Sequence, residues 1–181
     1  MSIDLGWRTL SAYAPAILGP MARIATIGVY GFSGQTFLDA LRAAGVTRVV
    51  DVRQRRGVRG PEYAWANSRR LQDALAGAGV EYEHHRDLAP TTELRHLQYR
   101  EDDRAGVGKR SRSALAPGYV EGYTREILDP ADLDSLVREL PADGLAALLC
   151  VERDPEACHR SLIARRLETE HGLEVVHLRP A

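Results

Sequence analysis

The residues able to do chemistry crowd into two short stretches. One reads Asp51-Val52-Arg53, and the other runs from Cys150 through Glu152, Arg153, Asp154 and Cys158 to His159 and Arg160. Glu152 follows the apolar run 145–151, so it emerges from a buried segment. A carboxylate in that setting either pairs with an arginine or has its pKa raised by desolvation. A raised pKa suits a general acid or base near neutral pH. Asp51 closes the apolar run that begins at Val46. An Asp at a strand end also bonds loop amides or a nearby Arg, so a direct and a structural role both stand open for it.

His159, Ile163 and Leu167 are spaced for one face of a helix. That spacing places His159 along the packed side, with Arg160 beside it. Both sit near a helix start, where free N–H groups and the dipole favour an anion. An Arg160–Glu152 ion pair is expected, and such a pair can be structural and catalytic together. Cys158 shares the helix start, a setting that lowers a thiol pKa. Helical spacing groups it with Ser161 and Arg165, off the crevice. Cys150 lies within an apolar run and reads as core. A zinc site from Cys150, Cys158, His159 and His84 fits no standard ligand spacing, so no metal and no cofactor are expected.

Two basic segments complete the candidate set. The first runs from Arg53 through Arg55, Arg56 and Arg59 to Gly60; the second spans Arg95 to Arg112, with His96, Arg100, Arg104, Lys109 and Arg110. Tyr63, Trp65 and Tyr99 lie close in sequence. Basic loops interleaved with aromatics suit phosphate contact and base stacking, although many charge runs are simply solvated loops. Arg53, Arg59, Arg160, Tyr63, His84 and Arg95 are the candidate substrate-binding residues. Glu152, Asp51, His159 and Cys158 are the candidate catalytic ones.

Alternating strands and helices must position these groups. Residues 24–30, 46–52, 80–84, 145–151 and 174–178 read as strands. Ser33 and Ser68 are candidate caps for helices carrying Phe37 and Leu41, and Leu71 and Leu75. Residues 101–118 read as a long polar loop. Residues 119–128 and 132–140 read as helices, and Asp154-Pro155 reads as the start of another that Gly172 ends. The pattern implies a single α/β domain over residues 21–181, with a mostly parallel sheet flanked by helices in Rossmann-like layering. Residues 1–20 carry Gly6, Pro15, Gly19 and Pro20 without a clear period, and read as an N-terminal arm. In such sheets ligands bind at the carboxyl ends of the strands. If the second and fourth strands are neighbours, Asp51, Arg53, Glu152, His159 and Arg160 face one crevice.

Bulk properties exclude several classes. The chain has 181 residues and a net charge of −1, so no overall field draws it to nucleic acid or membrane. Lys109 is the single lysine among the 24 basic residues. Two cysteines are too few for a disulfide-stapled secreted domain. No segment approaches a membrane span, and no signal peptide is evident. A cytoplasmic protein is expected.

At these same residues the chain resembles the bacterial and archaeal family called domain of unknown function 488, from about Ile24 to Leu178. Thr26-Ile27-Gly28 followed by Gly31 is similar to the family's opening. Asp51-Val52-Arg53 with Arg59, Tyr82-Glu83-His84 with Leu88, and the stretch Leu88 to Arg95 match later segments. Cys150-Val151-Glu152 with Cys158-His159-Arg160 matches the most specific motif. Val29 and Tyr30 replace a usual Tyr-Glu, and Arg56 and Val58 stand where Pro and Ser are common. The resemblance implies the fold and the candidate site, and brings no reaction with it. The Asp-Val-Arg strand end is also similar to rhodanese-like domains, though the loop 152–157 differs from theirs in composition.

Three functions follow from these residues. The first is an enzyme that hydrolyses or transfers at a glycosidic or phosphate-linked centre of a nucleotide-like or nucleic-acid substrate, with Glu152 or Asp51 as acid/base or nucleophile. Arginines would hold phosphate, and His159 would orient the carboxylate or shuttle a proton. The second is a non-catalytic nucleotide or nucleic-acid binding module. The third is thiol-dependent redox or sulfur transfer at Cys158.

Overall fold

The computed structural model describes residues 22–108 and 110–180. The arm at 1–20, Met21 and Lys109 lie outside the described residues. Five strands, β1 (Arg23–Ile27), β2 (Val46–Asp51), β3 (Glu81–His84), β4 (Leu145–Leu149) and β5 (Glu174–Leu178), form one sheet in the order β3-β2-β4-β1-β5. Every neighbouring pair is parallel. β2 and β4 are adjacent, with Asp51 opposite Leu149.

β4 shows why the sheet is covered on both sides. All five of its residues are buried. Ala146 and Leu148 join one apolar layer, while Leu145, Ala147 and Leu149 join the other. A strand with two apolar faces needs helices on both. Helices α1 (Gly34–Ala43) and α2 (Ser68–Gly77) cover one face through Phe37, Leu41, Leu71 and Leu75. Helices α3 (Thr92–Ala105), α4 (Pro117–Tyr123), α5 (Leu133–Arg138) and α6 (Arg160–His171) cover the other through residues such as Leu94, Tyr123, Leu136 and Ile163. β1 and β4 are neighbours, yet α1 and α6 leave them for opposite faces. Such a divergence opens a crevice at the carboxyl ends of the strands.

Local chemistry sets the helix ends. Ser33 caps α1, its hydroxyl accepting from the Thr36 N–H in a reciprocal capping box. Asn67, rather than Ser68, stands at the cap of α2. Two differences from the sequence reading matter for the site. Residues 101–105 are not loop: they end α3, which Thr91 caps and the left-handed Gly106 stops. The helix expected from Asp154 is broken. Pro155–Ala157 makes a single 3-10 turn, Cys158 is extended at φ −141° and ψ 140°, and α6 starts at Arg160. The extended residue carries Cys158 into the same apolar layer as Cys150.

One glycine permits the closest approach in the fold. A Cβ at Gly28 would lie 1.9 Å from the Glu152 carbonyl oxygen. Only a residue without a side chain allows the end of β1 to touch the loop after β4. The Val29 and Tyr30 N–H groups then both donate to the Val151 carbonyl, at 3.0 and 2.9 Å. We predict that Gly28→Ala destabilises the chain by about 3 kcal/mol in urea unfolding, since the obstacle is backbone. Gly77→Ala, where a Cβ meets nothing within 4 Å, is the matched control and should not destabilise it.

Candidate functional site

A cleft of about 610 Å³ opens at the carboxyl ends of β1, β2 and β4. Its floor is made by residues that follow β4: Cys150, Val151, Glu152, Ala157, Cys158 and His159. The walls carry Arg55 and Arg59 from the loop after β2, and Arg95 and Tyr99 from α3. Arg110 and Arg112 come from the loop after α3, and Tyr30 follows β1. Among the described residues, five arginines face the cleft and Glu152 is its only carboxylate.

The floor is held from beneath. The Arg160 guanidinium is fully buried and donates to the carbonyls of Glu152 (2.7 Å) and Arg153 (3.0 Å). Arg160 therefore meets Glu152 at its backbone carbonyl, and the expected ion pair between the two side chains does not form. The Glu152 carboxylate lies 3.9 Å from Arg112. Arg112 is in turn fixed by a buried ion pair with Asp102 of α3. Burial disfavours the Asp102 charge, but hydrogen bonds from Arg112 and Gln98 outweigh it and hold the carboxyl below its usual range. Gln98 also accepts from the Ala116 N–H at 2.9 Å, which ties the start of α4 to α3.

Cys150, Cys158 and His159 meet at one point. The His159 Nδ1 is 3.7 Å from the Cys150 sulfur and 4.0 Å from the Cys158 sulfur. Its Nε2 lies 3.0 Å from the Val52 carbonyl. A carbonyl only accepts, so Nε2 carries the proton and Nδ1 presents a lone pair to the sulfurs. The two thiols are buried and divide unequally. Burial pushes Cys158 up, but the Cys150 hydrogen bond and the Arg160 charge bring it well below the usual thiol value. Cys150 is pushed well above it by its bond to Cys158 and by burial.

Asp51 and Arg53 lie under the cleft wall. Arg53 makes a two-pronged bond to Asp51, Nε at 2.8 Å and Nη2 at 2.7 Å, and both side chains are essentially inaccessible. Asp51 also accepts from the Arg53 N–H at 3.0 Å and the Tyr82 hydroxyl at 2.6 Å. The remaining Arg53 prong donates to the Ala66 carbonyl at 2.9 Å. This lock ties β2 to β3 and to the turn Pro61–Ala66. Burial, then the bond to Asp51, pushes Tyr82 up to about 12.

The structure therefore brings Glu152, Cys158, His159, Arg59 and Arg95 to one cleft, and puts Asp51, Arg53 and Arg160 behind it. Cys158, expected off the crevice, is on its floor because the helix breaks at that residue. Tyr63 stands behind Tyr30, with ring centroids 5.0 Å apart, and Arg110 covers both rings at 5.1 and 5.3 Å. His84 lies elsewhere, with Nε2 2.9 Å from the Arg53 carbonyl. Cys150, Asp102 and Gln98 were not among the sequence candidates. Gln98 and Asp102 occupy the buried stripe of α3 with Leu94, which hides the helical period in the sequence.

The model of the family described as Domain of unknown function DUF488 matches residues 33–167. The chain belongs to that family, and the matched region contains the floor and the arginine walls of the cleft. No curated protein and no solved structure matches the chain. Among the described residues, no helix is long and apolar enough to cross a membrane.

Asp51→Ala leaves the Arg53 charge buried without its partner. We predict a loss of about 3–5 kcal/mol in urea unfolding. The raised Tyr82 pKa adds a pH signature. Its contribution is complete below the ordinary value of 10.0 and is lost as pH climbs toward about 12. Stability should fall across that window, and Tyr82→Phe should make the fall shallower, leaving the part due to the raised Tyr119 and Tyr123.

Proposed function

We propose that the chain is an enzyme that takes a phosphate-bearing, nucleotide-like substrate into this cleft and hydrolyses or transfers a group at its floor. The observation that carries this reading is the arrangement of five arginines around a floor that holds Glu152, Cys158 and His159. Arg55 and Arg59 are exposed and free to reach phosphate oxygens, while Arg112 is already committed to Asp102. The partly exposed Tyr99 offers a ring on which a base can stack. Glu152, buried beside Arg112, serves as the acid/base group at a glycosidic or phosphate-linked centre. Asp51, Arg53 and Arg160 act as the frame that sets these groups.

A second reading has its own observation. Cys158 lines the cleft with its thiol biased toward thiolate by the Cys150 hydrogen bond and the Arg160 charge. That supports thiol-dependent redox or sulfur transfer on a similar anionic substrate. A pure binding module has less support, because it leaves the buried floor groups without a task.

Thermal shift against nucleotides and short DNA and RNA identifies the ligand. With that ligand, Glu152→Gln should lower turnover by about 10²–10⁴-fold while binding persists. Arg55→Ala combined with Arg59→Ala should weaken binding and lower the salt slope by about 1.4 for a single strand. A folded Glu152→Gln protein with full turnover overturns the first reading. If that protein is inactive only after Cys158→Ser is added, the second reading replaces it.

A further inference from the structure

We propose that Cys150, Cys158 and His159 bind one zinc ion at the floor of the cleft, with its fourth position open to the cleft. The three ligand atoms all lie within 4.8 Å of one another. In a tetrahedral site with Zn–S of about 2.3 Å and Zn–N of about 2.0 Å, sulfur and nitrogen ligands stand about 3.5 Å apart. The two nitrogen–sulfur separations here are 3.7 and 4.0 Å, close to that value, and the two sulfurs lie within 4.8 Å of each other. The spacing along the chain fits no standard zinc pattern, and His84, weighed with these three in the sequence, lies elsewhere. It is built by the parallel strand that ends at Cys150 and by the helix break that turns Cys158 back toward it.

The surroundings suit a metal as well as the distances do. His159 is oriented by its Nε2–H donating to the Val52 carbonyl at 3.0 Å, the usual support for an imidazole that coordinates through its other nitrogen. Tyr123 packs against the same ring, with centroids 5.3 Å apart, and limits its rotation. Two thiolates cancel the charge of the dication, so the buried Arg160 is not set against a net positive centre. Thiolate and imidazole donors favour zinc over hard cations. Three protein ligands with an open fourth position form the pattern of catalytic zinc. The open position faces the arginine-lined cleft, so the ion would meet an anionic oxygen of the ligand or a water. Binding moves the thiol protons to solvent and involves no redox change. This site rests on the geometry of the floor alone and stands whatever substrate the cleft takes.

The test uses the full chain, reduced with a non-thiol reductant and shown to have two free thiols. Titration with Co²⁺ should saturate at one equivalent, with sulfur-to-cobalt charge transfer and the strong visible bands of four-coordinate cobalt. One equivalent of Zn²⁺ should bleach both. Cys158→Ser and His159→Gln should abolish the charge-transfer signal or weaken cobalt binding at least tenfold, with circular dichroism confirming the fold. Zinc should also slow alkylation of both cysteines in the unaltered chain at least tenfold, a readout that needs no variant. A reduced chain that binds no cobalt, binds it without charge transfer, or keeps both the signal and the affinity in Cys158→Ser overturns the proposal. None of these readouts depends on turnover, so the proposed reaction can fail while the metal site stands.

Discussion

A single buried guanidinium organises the functional end of this molecule. Arg160 sits at the first turn of α6 and donates to two successive carbonyls of the loop after β4. Those carbonyls have left the sheet ladder, and that of the buried Glu152 needs a donor. Among the described residues Arg160 forms no ion pair with a carboxylate. Its charge is met by backbone dipoles and acts on the two nearby thiols. From the other side, Gly28 lets β1 press against the same loop. Held between these contacts, the loop presents Glu152 and its neighbours to the cleft in one arrangement.

Two buried ion pairs extend this frame outward. Asp51–Arg53 fixes the wall after β2, and Asp102–Arg112 fixes the wall after α3. Burial disfavours both arginine charges, and in each case bonds to the aspartate more than restore them. Buried pairs of this kind are poor sources of net stability compared with apolar packing. Their value is geometric: each needs its partner in one place, and each locks a loop that would otherwise be free. The exposed Arg55 and Arg59 stand on loops anchored in this way. A cleft can thus be strongly basic while the chain as a whole carries a net charge of −1.

The layered α/β architecture was legible because apolar runs and caps agree. Leu145–Leu149 is apolar throughout, Ser33 caps α1, and Gly172 stops α6 in the left-handed conformation. Glu152 and His159 were legible as cleft residues because they interrupt or follow such runs. What stayed hidden depends on contacts between distant segments. α3 buries Gln98 and Asp102, so its inner face does not look apolar. Cys150 read as plain core, since nothing along the chain shows that Cys158 leaves the helix to meet it. Asp51 and Arg53 read as crevice groups because a sequence shows that they lie close, but not that Tyr82 and the Ala66 carbonyl complete a closed network around them.

The central claim is that the frame around Arg160 holds an anion-binding cleft with its reactive groups on the floor. A crystal structure of the reduced chain with a nucleoside monophosphate tests it most directly. The account predicts phosphate between Arg55, Arg59 and Arg110, the base against Tyr99, and the sugar facing Glu152. A nucleotide bound elsewhere, with the cleft left to solvent at saturating ligand, would contradict it.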